Sequence, residues 1–135
     1  FMKERPKDCP ITDSDVELLK EQGLDQYKDE IATSLPYGKQ RRLEIARALA
    51  TDPKLLLLDD PTKGVDIHSR QEIHRILRQC ADEGMTVIIS SSESEELLSV
   101  SDRIYVFYEG AVSAVLAGEN KTPEALVAAM MGMTE

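Results

Sequence analysis

No glycine-rich loop carrying a lysine occurs in these 135 residues, so they contain no backbone cradle of the kind that holds nucleotide phosphates. There is no long apolar run either. The longest is Leu55-Leu56-Leu57-Leu58, four residues, where a membrane-crossing helix needs about 20. No secretory signal pattern is visible. Cysteine is scarce. Cys9 and Cys80 stand far apart with no His or Cys at metal-ligand spacing, which excludes a zinc site and fits a reduced cytosolic interior. His68 and His74 are six apart, not four, so they make no helical metal pair and read as surface residues. Positive charge is in deficit, with 16 Lys and Arg against 25 Asp and Glu. The net charge of -9 argues against non-specific binding to DNA or to an anionic membrane surface. Internal repeats and low-complexity tracts are absent. The chain opens Phe1-Met2, which hints at a cut fragment or a cloning scar.

What is present suits one α/β domain at most. The apolar fraction of 41% is that of a globular chain, and a domain this size buries about two thirds of its unfolded surface. Residues 1–11, with Pro6 and Pro10 among charges, read as loop. Thr12 caps a helix over 13–22 that Gly23 stops. A short helical turn is expected over 26–31. Pro36 and Gly38 form a turn before a strong helix over 39–50, with Leu43, Ala46 and Ala50 on one face. Residues 55–58 read as a strand buried on both faces. Residues 69–82 form a helix with Ile73, Ile76, Leu77 and Cys80 on one stripe, ended by Gly84. Residues 86–89 form a second buried strand. A Ser92-x-x-Glu95 capping pattern opens a helix over 93–98. Residues 103–108 and 111–116 form strands joined by a Glu109-Gly110 hairpin turn. Thr122-Pro123-Glu124 opens a last helix, and Met130, Met131 and Met133 read as core or interface packing. The alternation predicts a largely parallel sheet with helices against it.

Three segments carry chemistry. Asp59 and Asp60 end an apolar strand at the edge where α/β folds bind ligands. One carboxylate there suits Mg2+ held through water, and a second suits an attacking water. The plainer reading is a solvated Asp-Asp-Pro turn. Gly38 opens a helix whose N-terminus favours a phosphate, with Lys39, Arg41 and Arg42 adding charge. The plainer reading is a solvated amphipathic helix. Ser90-Ser91-Ser92 follows the second strand, where hydroxyls contact a phosphate or only cap the next helix.

The order of these segments resembles the second half of an ABC-transporter ATPase subunit, over residues 18–116. LPYGKQRRLEIARALA stands at the signature motif and its helix, LLLLDDP at Walker B, Gly64-Val65-Asp66 at the D-loop, and Ser92 at the switch histidine. Ser101-Asp102-Arg103 opens the strand after it. Residues 35–58 look most like ATPases of branched-chain amino-acid importers, and the chain from Thr62 onward more like the second ATPase domain of sugar importers.

The resemblance implies a partial P-loop NTPase fold. Residues 12–50 would be the end of the helical subdomain with its signature helix, and 51–135 the C-terminal part of the ATPase core. It implies ATP and Mg2+ as cofactors, with Asp59 on the metal and Asp60 and Ser92 as catalytic residues. Tyr37, Gly38, Lys39 and Gln40 would touch ATP bound by a partner, and Gly64 and Asp66 would lie at the dimer interface. The implied partners are a second ATPase domain and membrane permease subunits, at the inner face of the cell membrane. Three departures stand out. Walker A and the Q-loop are absent, Asp60 replaces a glutamate, and Pro36 replaces the signature serine. The isolated chain is therefore expected to be inactive, the alternative being a non-catalytic interaction module that pairs with an intact ATPase. In the implied fold the Walker A strand lies between 55–58 and 86–89. Its absence leaves open edges that either re-pair with each other or pair with another chain, as in a homodimer.

Overall fold

The computed structural model describes residues 12–133, so the loop expected over 1–11, with Cys9, lies outside the described residues. The chain divides into two compact units. The first holds the described residues up to Leu57 together with Pro61–Ile88, and the second holds Leu58–Asp60 and the described residues from Ile89 onward.

The first unit is mainly helical. Helix α1, Asp13–Glu21, starts at a reciprocal cap in which Thr12 Oγ1 accepts from the Asp15 N–H and Asp15 accepts from the Thr12 N–H. Gly23, at φ 61°, turns the chain out of it. The helical turn expected over 26–31 is a single 3₁₀ turn at Asp25–Tyr27, with another at Ala32–Ser34. Helix α2 spans Tyr37–Leu49 and packs against both α1 and α3. It buries Gly38, Ile45 and Ala46, while Ala50 is exposed. Helix α3, Ile67–Asp82, buries the expected stripe of Ile73, Ile76, Leu77 and Cys80. Gly84, at φ 96°, follows its end.

Strands β1, Leu55–Asp59, and β2, Thr86–Ser90, are hydrogen-bonded neighbours. The Thr86 N–H donates to the Lys54 carbonyl at one end and the Asp60 N–H to the Ser90 carbonyl at the other, so the strands are parallel. The two strands pair with each other, the first of the two outcomes expected for their open edges. One expectation is corrected: neither strand is buried on both faces. Leu55 and Leu57 are 52% and 69% exposed while Leu56 is buried. The alternation arises because one face of the pair is covered and the other is not.

The second unit is a helix-covered hairpin. Strands β3, Arg103–Tyr108, and β4, Ala111–Ala117, pair antiparallel from Arg103↔Ala117 to Tyr108↔Ala111, with a bulge between Val106 and Phe107. The expected turn is present: Glu109 and Gly110 both have positive φ, 48° and 81°. Because β3 and β4 form their own sheet, the expected single, largely parallel sheet is replaced by two two-stranded ones among the described residues. Ile104, Val106 and Leu116 point to one face and pack with Leu126 and Ala129 of helix α5, Pro123–Met130. Each large aliphatic side chain buried there contributes about 1.5–3 kcal/mol. Leu97 and Leu98 of helix α4, Ser94–Val100, pack against the same core. Met130, Met131 and Met133 are exposed and so form no part of the core.

Candidate functional site

The structure sorts the sequence-predicted residues into two clusters, one within each unit. In the first unit, the start of α2 meets the loop that enters α3. Pro36 precedes the helix and supplies no side-chain cap, but its carbonyl accepts from the Lys39 N–H at 2.9 Å and from the Gln40 N–H at 3.1 Å. Gly38 lies inside the helix, not in a turn ahead of it, and it is buried. Its role is close approach. A Cβ built on it would stand 2.2 Å from Ser69 Oγ and 2.5 Å from Ser69 Cβ, with Asp66 Oδ2 at 3.4 Å. Gly64, at φ 76°, faces Tyr37 across the same junction, where an added Cβ would meet the Tyr37 ring at 3.6 Å. Tyr37 and Gly38 at the start of α2 and the loop residues Gly64 and Asp66 therefore share one place.

The side chains at this junction are already engaged. Asp66 caps α3: Oδ1 accepts from the Ser69 N–H at 2.9 Å and Oδ2 from the Ser69 hydroxyl at 2.7 Å. These bonds, the hydroxyl's first, hold the Asp66 carboxyl below its ordinary pKa. Lys39 lies over the Tyr27 ring, 3.9 Å from its centroid, and donates to the Tyr27 hydroxyl. Gln40 donates to the Leu35 carbonyl at 2.8 Å, and Arg41 donates to the Tyr37 hydroxyl at 3.1 Å. Of Tyr37, Gly38, Lys39 and Gln40, only Tyr37 is exposed. Ser69 and Tyr27 escaped sequence reading. The Asp66-x-x-Ser69 spacing is a capping signal that could have revealed the first, and Tyr27 carried no local signal.

In the second unit, Asp59 and Asp60 emerge at the C-terminal end of β1. Asp59 is exposed. Asp60 takes a left-handed backbone, φ 45°, which aims its carboxylate at the loop after β2. There its Oδ1 accepts from the Ser92 N–H at 3.0 Å and from the Ser92 hydroxyl at 3.3 Å. Ser92 is thus turned to Asp60 and does not cap the next helix, which corrects the expected Ser92-x-x-Glu95 box. Helix α4 begins after Glu93 with no side-chain cap, and Ser91 Oγ instead accepts from the Glu93 N–H at 3.1 Å. Among the described residues no group of three or more His, Cys, Asp or Glu could cage a metal ion. No helix there is long and apolar enough to cross a membrane.

Known proteins are similar to this chain in sequence and in fold. A family profile described as ABC transporter matches residues 7–63. The ribose import ATP-binding protein RbsA 2 of Rhizobium etli is 42% identical over 100 residues, covering 74% of this chain and 20% of that protein. The ribose import ATP-binding protein RbsA of Roseobacter denitrificans is 42% identical over 99 residues, covering 73% of this chain and 19% of its own length. The chain thus spans about a fifth of the curated relatives it matches. Among solved structures, the MJ1267 ATP-binding cassette of an ABC transporter superposes with a TM-score of 0.82 at 25% identity, over 98% of this chain and 53% of that one. A nucleotide-free ATP-binding cassette gives 0.79 at 28% identity, over 90% of this chain and 49% of that one. On these likenesses, and on an α/β fold shared with P-loop NTPase ATP-binding cassettes, this chain belongs to the ABC-transporter ATP-binding family.

Proposed function

We propose that the chain is the C-terminal portion of the ATP-binding subunit of an ABC importer, of the sugar or branched-chain amino-acid type. Its work would be to couple ATP binding and hydrolysis to solute uptake, against permease subunits at the inner, cytoplasmic face of the membrane. The 42% identity to two ribose import ATP-binding proteins supports the sugar class. The bond between Ser92 and Asp60 carries the catalytic reading, because it joins the ends of β1 and β2 at one point. On this reading residues 12–50 end the helical subdomain and 51–135 complete the ATPase core.

The residues fit the implied cofactors in a limited way. Asp59 is one exposed carboxylate at a strand end, a hard oxygen donor suited to Mg2+ held mostly by water and phosphate and not by a protein cage. When bound, Mg2+ neutralises phosphate charge. Asp60 orients the attacking water, and Ser92 fixes the Asp60 carboxylate by two hydrogen bonds. Tyr37 presents the exposed start of α2 to ATP bound mainly by a second ATPase domain, while Gly38, Lys39 and Gln40 shape that turn from behind. Gly64 and Asp66 border the same surface at the dimer interface.

A polypeptide of these 135 residues alone should bind Mg-ATP weakly and not hydrolyse it measurably. Without a phosphate cradle, most β- and γ-phosphate contacts are missing. Isothermal titration tests this, and micromolar affinity would overturn it.

A second reading is favoured by one observation. Each of β1 and β2 has a single strand neighbour among the described residues, and Leu55, Leu57 and Ile88 are exposed. Open apolar edges of this kind pair with another chain. The chain would then act as a non-catalytic module docked on an intact ATPase or on a second copy. Sedimentation showing a monomer, with no co-purifying ATPase, counts against it.

A further inference from the structure

We propose that Glu96 is a positioning residue for the Asp60–Ser92 pair, acting through Ser91. The inference rests on the roles proposed above for Asp60 and Ser92. Glu96 is on α4 and only 4% exposed. A carboxylate is rarely buried unless it is hydrogen-bonded. Ser91 donates its hydroxyl to Glu96 Oε2 at 2.5 Å, a short bond. The same Ser91 oxygen accepts from the Glu93 N–H at 3.1 Å. Ser91 is therefore held as donor and as acceptor, and the backbone is pinned on both sides of Ser92.

Ser92 lies between those two pins. Its N–H and hydroxyl reach Asp60 Oδ1 at 3.0 and 3.3 Å, and the Asp60 N–H returns to the Ser90 carbonyl at 2.7 Å. Residues 90–93 thus form a closed set of bonds with one buried anchor. Helix α4 has no side-chain cap of its own. Removing the Ser91 hydroxyl frees the loop, and Ser92 loses its registration on Asp60 while the hairpin core stays intact.

The test is amide hydrogen exchange on the full 135-residue chain without nucleotide, so its outcome does not depend on whether the chain binds ATP. Ser91→Ala should speed exchange of the Ser92 amide at least tenfold and leave the Val106 amide of β3 within twofold. Glu96→Leu, which removes the acceptor, should speed Ser92 exchange as Ser91→Ala does. Ser91→Thr, which keeps the hydroxyl, and Glu96→Gln, which keeps an acceptor of the same shape, should keep it slow. Unchanged Ser92 exchange in Ser91→Ala or in Glu96→Leu overturns the proposal. So does equal acceleration at Val106, which would make the role one of global stability. Because the readout needs no nucleotide, Ser92 exchange alone decides the positioning role, and failure of the catalytic reading would leave it standing.

Discussion

Ser92 gives both its backbone N–H and its hydroxyl to one oxygen of Asp60, a residue 32 positions earlier in the chain. Asp60 meets it from a left-handed backbone at φ 45°, a conformation that costs a non-glycine residue about 1 kcal/mol or more. Two terms therefore act at this position, and they are separable. Asp60→Ala should lose the hydrogen bonds and keep the strain, lowering stability by about 1–2 kcal/mol. Asp60→Gly should lose the same bonds but relieve the strain, and so cost less. Urea denaturation of the two variants decides. If glycine is no better than alanine, backbone strain contributes nothing here.

Gly38→Ala is the sharpest packing test. Alanine favours a helix interior over glycine by about 1 kcal/mol, so propensity alone predicts stabilisation. The structure predicts the reverse, since the new methyl would lie 2.2 Å from Ser69 Oγ, which is itself tied to Asp66. Overpacking of this kind costs about 1–3 kcal/mol. Ser69→Gly in the same chain should remove most of that cost, and a double-mutant cycle would measure the coupling.

The Asp66 cap makes a pH prediction. Its carboxyl titrates below the ordinary value because the Ser69 hydroxyl and then the Ser69 N–H bond to the charged form. A depressed carboxyl contributes stability that is present above its unfolded pKa, about 3.9, and is lost as pH falls through the folded value. Asp66→Asn keeps a good capping residue but removes the charge. The parent should therefore be the more stable of the two near neutrality, and the gap between their urea midpoints should close below about pH 4. A gap independent of pH would exclude the carboxylate as its source.

Glu109 is a further place where sequence and backbone disagree. It sits at φ 48° in a two-residue turn that prefers Asn or Gly at that position. Glu109→Asn should stabilise the second unit by about 0.5–1 kcal/mol, read as a higher melting temperature with unchanged circular dichroism. No gain would mean that the turn tolerates glutamate without strain.

Much of the fold was legible because its signals are local. Thr12, Thr122, Gly23 and Gly84 mark helix ends by chemistry confined to a few residues. The 3-4-3 spacing of Ile73, Ile76, Leu77 and Cys80 marks a buried stripe by periodicity, and Glu109-Gly110 marks the hairpin. The strands were located for the same reason. Their sheet was not, because a short apolar run says that a strand forms and not which neighbour it takes. Four leucines in a row also carry no alternation, so nothing local foretold that Leu56 would be buried and Leu57 exposed.

The candidate residues follow the same division. Sequence alone determined which residues could carry chemistry, since the order of a basic helix, an Asp-Asp-Pro strand end and a serine cluster is a property of the chain. Tertiary structure alone decided what each of them does. It made Gly38 a packing contact for Ser69, turned Lys39 onto Tyr27, gave Asp66 to the start of α3 and joined Ser92 to Asp60. The physical reason is directional: a hydrogen bond or a close contact needs a partner at about 3 Å with the right orientation, and only the folded backbone brings residues far apart in sequence that near.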